Sequence, residues 1–336
     1  MRAWVQEGFE GLHSLRCVDL PDPRPAPGEV LVAMRAVALN YRDLVIMRGQ
    51  YGPWVRLPLI VGCDGAGEVV AVGPGVQRWQ PGDRVIPCLS VRWITGPPRE
   101  EHAWHVLGST LNGTFAELGV FPEESLVRIP DHLSWEEAAT LPCAGVTAWN
   151  ALIVSGKLRP GETVLTMGTG GVSTFAVKFA KLAGARVIAI SSSHEKLARL
   201  KALGVADGLN YQEVPEWGKA VRELTHGEGV DHVLELGGAG TMEQSTRAVR
   251  VGGVISLIGV LAPRGEFNLT RVLMKSIRVQ GIFGGSREML ESMARAMALA
   301  RLRPVVDRVF PFEGVPQAYE YFAAQRHFGK VVVRVV

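Results

Sequence analysis

Cysteine is scarce in this chain, and the four present (Cys17, Cys63, Cys88 and Cys143) are scattered with no CxxC pair. That excludes a disulfide framework and a cysteine-rich zinc lobe. No apolar run reaches the roughly 18 residues that a membrane span needs, and the N-terminus lacks an apolar signal-peptide core. A cytoplasmic protein with no membrane partner is therefore expected. Neither sign of charge dominates: 36 Lys+Arg against 33 Asp+Glu leave +3. The charges interleave along the chain, which argues against a nucleic-acid partner. Internal repeats and low-complexity tracts are also missing. Glycine, by contrast, abounds, at 39 of 336 residues against a usual share of about 7%, so many tight turns are implied. At this length, with 47% hydrophobic residues, the chain can bury the cores of about two domains.

The first 130 residues read as β-rich. Short apolar runs (Val30–Met34, Gly67–Val72, Arg84–Pro87) alternate with Pro/Gly turn clusters, the texture of a small barrel or sandwich. Ser134-Trp135-Glu136-Glu137 supplies a capping box for a helix. From Glu162 the pattern becomes strand, helix, strand: β-branched runs at 164–167, 186–190, 232–236, 254–258 and 279–283 are separated by helical segments. Such alternation predicts right-handed crossovers and a parallel sheet, hence an α/β class for this part. The tail returns to short strands around one helix. The expected organisation is a discontinuous β-rich domain (1–130 and 303–336) clasping an α/β domain (131–302).

Val164–Met167 runs into Gly168-Thr169-Gly170-Gly171-Val172-Ser173 and then into helix. A glycine turn between strand and helix cradles a pyrophosphate on backbone N–H groups, and Ser173 stands where the usual fingerprint has its third glycine. The next strand ends in Ser191-Ser192-Ser193, where NAD-preferring enzymes place an acid for the ribose 2′-hydroxyl. Hydroxyls at Ser191 and Ser192, the cation Lys196 and the hydroxyl of Tyr211 suit a 2′-phosphate instead. NADP(H) is the expected cofactor.

These pieces, with Ala38-Leu39-Asn40-Tyr41-Arg42-Asp43, Val61-Gly62-Cys63-Asp64-Gly65, Pro81-Gly82-Asp83-Arg84-Val85, Leu141-Pro142-Cys143-Ala144-Gly145 and Phe328-Gly329-Lys330-Val331, resemble the medium-chain dehydrogenase/reductase superfamily over essentially the whole chain. The resemblance is nearest to its zinc-free quinone-oxidoreductase-like branch. It implies a Rossmann doubly wound parallel sheet, a GroES-like catalytic domain, a cleft between them and a homodimer. It also implies that Thr147, the strand end Ile258-Gly259-Val260 and Phe283 belong to the nicotinamide site, and that Lys330 lies near cofactor phosphate or ribose.

Zinc alcohol dehydrogenases of this superfamily hold catalytic zinc with a Cys in the first motif, a His-Glu pair in the second and a Cys or Asp in the fourth. The corresponding positions here are Asn40, Cys63-Asp64 and Cys143. An amide is a poor zinc ligand, and Leu89–Thr114 has no cysteine for a structural zinc. The expectation is no metal, with an atypical Cys63/Asp64/Cys143 zinc site as the alternative and a non-enzymatic NADPH-binding role as a further one. Without a metal, hydride delivery to a quinone or α,β-unsaturated carbonyl is favoured over simple alcohol oxidation, because hydrogen-bond donors can stabilise the delocalised charge. Asn40, Tyr41 and Tyr51 are the expected donors. The loop Leu89–Thr114, with Trp93, Trp104, His102 and His105, is expected to be an ordered lid.

Overall fold

The computed structural model describes residues 1–259, 261–262 and 265–335. They form two compact units, Met1–Val146 with Gly284–Val336, and Thr147–Phe283. The divisions differ from those drawn on sequence texture. Residues 131–146 and the helix Arg287–Ala300 pack with the β-rich unit, because Leu290, Met293 and Met297 of that helix bury their side chains there.

The first unit holds two sheets. A small antiparallel one pairs Leu15–Asp19, Arg2–Gln6 and Leu59–Ile60. The larger runs in the order Val306–Pro311, Lys330–Arg334, Glu29–Ala38, Asp64–Val72, Arg84–Pro87 and Leu126–Arg128, with Leu118–Pro122 also pairing to Glu29–Ala38. Glu29–Ala38 alternates buried and half-buried residues, the period-2 pattern of a strand with one face on the core. Register matters most for function. Ala38 faces Asp64 on one side and Val332 on the other, both antiparallel. Continuing each strand by one or two residues brings Asn40, Cys63 and Lys330 to the same end of the sheet. The following helix, Tyr41–Met47, buries Leu44, Ile46 and Met47 against the core of this unit.

The second unit is a six-stranded parallel sheet in the order Asp207–Asn210, Arg186–Ser191, Thr163–Met167, Val230–Glu235, Val249–Leu257 and Arg278–Gly281. Its first strand in sequence, Thr163–Met167, lies centrally between the second and fourth. This is the doubly wound Rossmann arrangement, whose strand order reverses at that point. Strands such as Arg186–Ser191 are buried along five of six residues, as a sheet covered on both faces requires. The last strand ends earlier than the run 279–283 suggested. Only Arg278–Gly281 pair, and all four residues are exposed. Leu269, Leu273 and Met274 of the preceding helix are 70–75% exposed in this unit.

The capping box forms as expected: Ser134 Oγ accepts from Glu137 N (3.2 Å) and Glu137 Oε2 from Ser134 N (2.9 Å). The loop 89–114 is ordered, though by packing within its own unit. Trp93 is buried, stacks on His102 and donates to Gly96 O, while Trp104 meets Trp54 edge-on. His102 and His105 do not converge. His102 Nδ1 accepts from Arg99 N and His105 Nδ1 pairs with Glu101 O.

Candidate functional site

At the strand ends of the first unit lies a buried polar cluster. Lys330 Nζ reaches Leu39 O (2.7 Å), Asn40 Oδ1 (2.7 Å) and Asp64 Oδ2 (2.8 Å). The side chains of Lys330 and Asp64 are 3% and 0% exposed. An ammonium has three N–H donors, and all three have acceptors here. Its charge is held inside the β-rich unit, so the contact with cofactor phosphate or ribose expected from sequence would require it to give up one of these acceptors.

Asn40 is engaged in the same cluster. Its Nδ2 donates to Asp64 Oδ2 (2.8 Å), with Ala38 O at 3.5 Å and Cys63 Sγ at 3.6 Å. One amide proton thus orients Asp64, while the second has only the long contacts to Ala38 O and Cys63 Sγ. Tyr41 is half-buried and packs against the hydrophobic core of this unit, which gives it a packing role. Tyr51, also half-buried, lies with its ring 5.0 Å from the Arg42 guanidinium carbon.

Arg42, which sequence reasoning passed over, is the second cation of the cluster. Nη1 donates to Leu107 O (3.0 Å), while Nε and Nη2 are buried without a partner. Burial opposes its charge, but Cys63, Tyr51, Asp43 and Cys143 push its pKa above the ordinary value. Burial also raises Asp43, to about 6, against the pull of Arg42. Asp43 Oδ2 accepts from Asn40 N (2.9 Å) and from the Tyr319 hydroxyl (3.2 Å), so this carboxyl fixes the start of the helix that carries Arg42. Burial and a hydrogen bond with the Cys143 thiol push the Cys63 thiol well above its usual range.

Does this set suit zinc? Asp64 Oδ1 and the two thiols offer soft and hard donors, and Oδ1 has no partner. Against that, Asp64 Oδ2 already carries Lys330, and Arg42 stands beside Cys63 and Cys143. A zinc ion bound at about 2.1 Å from Asp64 Oδ1 would lie within about 7 Å of the Lys330 ammonium. At an effective dielectric of about 20 the repulsion is about 5 kcal/mol or more. Among the described residues no three or more His, Cys, Asp or Glu side chains are arranged to hold a metal. The Cys63/Asp64/Cys143 set does not fit a divalent cation.

In the second unit, Gly168 has φ +68°, a left-handed conformation that disfavours any other residue at the turn between Thr163–Met167 and the helix Gly171–Leu182. Ser173 Oγ donates to Met167 O (2.5 Å), so the small third residue ties helix to strand. The first-turn N–H groups at Gly171 and Val172 have no intrahelical acceptor, as at any helix start, and Thr169 is buried beside them. Ser193 Oγ accepts from Lys196 N (3.3 Å), so Ser193 is the cap of the next helix. Ser191, at the strand end, is buried; Ser192 is exposed and Lys196 half-buried. Tyr211, 40% exposed, donates its N–H to Ser191 O (3.1 Å). These residues fit a dinucleotide: an open glycine turn at the switch point, and hydroxyls rather than an acid at the second strand end.

Thr147 is buried in the short helix Val146–Trp149, and Phe283 is 42% exposed. Gly259 permits a close approach, since a Cβ there would lie 1.9 Å from Leu236 O. Ile258 N and Gly259 N both donate to Glu235 O. Val260 lies outside the described residues. A second residue missed from sequence is Glu235. Fully buried, it accepts from Gly237 N (2.8 Å), Gly238 N (3.0 Å), Thr241 Oγ1 (2.5 Å) and Ser245 Oγ, which fixes the loop after its strand. The signal was an acid directly after the apolar pair Val233-Leu234 at a strand end.

Comparison with known proteins agrees with this fold. Residues 26–131 match the alcohol dehydrogenase GroES-like domain, and residues 171–299 match the zinc-binding dehydrogenase family. A zinc-type alcohol dehydrogenase-like protein of Schizosaccharomyces pombe is 41% identical, over 100% of this chain and 99% of its own. Among solved structures, an NAD-dependent alcohol dehydrogenase superimposes with a TM-score of 0.90 at 37% identity, covering 100% of both chains. A 2-octenoyl-CoA carboxylase reductase in complex with NADP and 2-octenoyl-CoA gives a TM-score of 0.90 at 27% identity, covering 99% of this chain and 87% of that one.

Proposed function

Given that this chain belongs to the zinc-type alcohol dehydrogenase-like family of the medium-chain dehydrogenase/reductase superfamily, and so is an NAD(P)-dependent oxidoreductase, we propose that it is a metal-free, NADPH-dependent reductase of conjugated carbonyls: α,β-unsaturated carbonyl compounds or quinones. One observation carries this reading. Where metal-holding relatives need an anionic ligand set, this chain has Lys330 locked on Asp64 and Asn40, with a second buried cation, Arg42, alongside.

The chemistry follows from that charge. NADPH supplies the hydride. In a conjugated acceptor the hydride adds to the β-carbon, the C=C π electrons move toward the carbonyl, and a proton then completes the α-carbon. The developing negative charge rests on oxygen, where fixed positive charge and hydrogen-bond donors stabilise it. Tyr51 is the hydroxyl of this cluster retained as a donor. Asn40, Asp64 and Lys330 position the framework that carries it.

NADPH is favoured over NADH by Ser191 and Ser192, Lys196 and Tyr211 at the second strand end. The solved relative that binds NADP together with an enoyl-CoA supports both halves of the reading. A homodimer joined along the exposed strand Arg278–Gly281, beside Leu269, Leu273 and Met274, would cover an open sheet edge. The test is a panel of enones, quinones and saturated aldehydes with NADPH and NADH, followed by loss of reduced-nicotinamide absorbance. Faster turnover of saturated aldehydes than of enones would sink the proposal.

A further inference from the structure

We propose that Arg42 is the catalytic group that receives the substrate's carbonyl oxygen, its Nε–Nη2 edge binding the enolate as hydride arrives; this rests on the conjugated-carbonyl reading above. The buried cluster contains two cations. Lys330 has every proton committed. Arg42 has Nη1 tethered to Leu107 O, but neither Nε nor Nη2 has an acceptor, and both are closed to water. Buried donors left unpaired are rare in folded proteins and call for an explanation.

The groups around Arg42 do not supply the missing acceptor. The nearest carboxylate, Asp43, comes no closer than 4.0 Å, to Nη1, and its other oxygen is engaged by Asn40 N and Tyr319. Cys63 and Cys143 lie within charge range, but neither sulfur accepts a hydrogen bond from Nε or Nη2. The Tyr51 ring covers a face of the guanidinium, which leaves the edge with no acceptor.

The edge also has a suitable form. Nε–H and one Nη2–H point in parallel, a planar fork that matches an oxygen bearing negative charge. Its charge does not depend on pH in the working range, and Leu107 O together with the helix Tyr41–Met47 fixes its position before substrate arrives, as preorganised stabilisation requires. Because the edge is closed to water, a carbonyl oxygen reaches it only when the side chains packed around it shift. Tyr51 lies between Gly49 and Gly52, whose φ angles are +66° and +125°, backbone states that only glycine adopts readily.

The experiment compares Arg42→Gln, Arg42→Lys and Arg42→Ala with wild type, each as the full chain with NADPH and a simple enone such as cyclohexenone. Removal of one oxyanion donor typically lowers kcat about 10²–10³-fold. Arg42→Gln should show that loss while the Kd for NADPH, read by nicotinamide fluorescence, stays within about twofold. Arg42→Lys should keep part of the rate, and methylguanidinium added to Arg42→Ala should restore a saturable fraction. A kcat within threefold of wild type in Arg42→Gln would overturn the proposal, as would a loss explained by NADPH affinity or a folded Arg42→Ala with no rescue. A further overturning result is rapid alkylation of Cys143 by iodoacetamide at neutral pH that slows in Arg42→Gln, for it would show that the edge serves a thiolate. Circular dichroism and thermal unfolding identify variants that fail to fold; in that case Arg42→Lys, which keeps the charge but not the fork, decides by its split between kcat and KM. Should wild type prefer saturated aldehydes, the functional reading fails. The Arg42 comparison is then run on that aldehyde and stands or falls separately.

Discussion

Replacing Lys330 by Met removes the cation from a carboxylate that has no access to water. Asp64 is fully buried, its Oδ1 already lacks a partner, and Oδ2 would keep only the Asn40 amide. Leu39 O and Asn40 Oδ1 lose a donor at the same time. Breaking a buried pair from one side costs about 3–5 kcal/mol, far more than the net value of the pair, because the remaining charge is uncompensated. The first unit has about 200 residues, for which each kcal/mol moves Tm by roughly 2–4 °C, so Lys330→Met should lower its transition by about 12 °C. The informative comparison is the cycle with Asp64→Asn, followed by calorimetry. Removing both charges relieves most of the penalty, and the double variant should be more stable than the sum of the singles by at least about 2 kcal/mol. Additive effects, or a Lys330→Met protein within about 1 kcal/mol of wild type, would refute the view that this ion pair is dry and mutually dependent.

Asp43 predicts a pH dependence. Its folded pKa of about 6 lies above the ordinary 3.8, so ionisation opposes folding and stability is gained as pH falls from about 7 toward 4. The full effect is on the order of 3 kcal/mol, and Asp43→Asn should flatten that part of a urea-denaturation pH profile; an unchanged profile would contradict the assignment. Ser191→Asp should reverse cofactor preference by placing a carboxylate beside the 2′-phosphate. Two charge-assisted hydrogen bonds there should favour NADPH over NADH by roughly a hundredfold in wild type, and tighter NADH binding would show the strand end to be misread. Sedimentation equilibrium should give a dimer at micromolar concentration that dissociates in Leu273→Glu, a residue 75% exposed in the chain alone; a monomeric wild type would remove the edge-pairing model.

Much of this fold was legible because its local signals agree. The strand–glycine–helix turn at 164–173 carries its own confirmation, since a tight turn, a strand end and a helix start must coincide for the cradle to form. The box at Ser134 and Glu137 likewise lies within four residues. The site was less legible because its partners are distant in sequence. Lys330 meets Asp64 across 266 positions, and only the register of two antiparallel pairings brings them level. Asn40 therefore read as a substrate donor alone, when the fold commits one of its amide protons to Asp64. Arg42 escaped notice because a charged residue between Tyr41 and Asp43 at a helix start looks like a solvated face. What turns it inward is the burial of its neighbours Leu44, Ile46 and Met47. The last strand was overestimated, since an apolar run says nothing of where pairing stops.

Hydride delivery to conjugated carbonyls without a metal, as proposed for this chain, separates cleanly from metal-assisted chemistry in one experiment. The direct test is the NADPH-dependent rate for cyclohexenone against cyclohexanone, with protein held in a chelator and assayed by elemental analysis. The account predicts that the enone is reduced at least about tenfold faster, about 1.4 kcal/mol of barrier, and that chelation leaves the rate unchanged. Preference for the saturated ketone, or activity lost on chelation and restored by stoichiometric zinc, would contradict it.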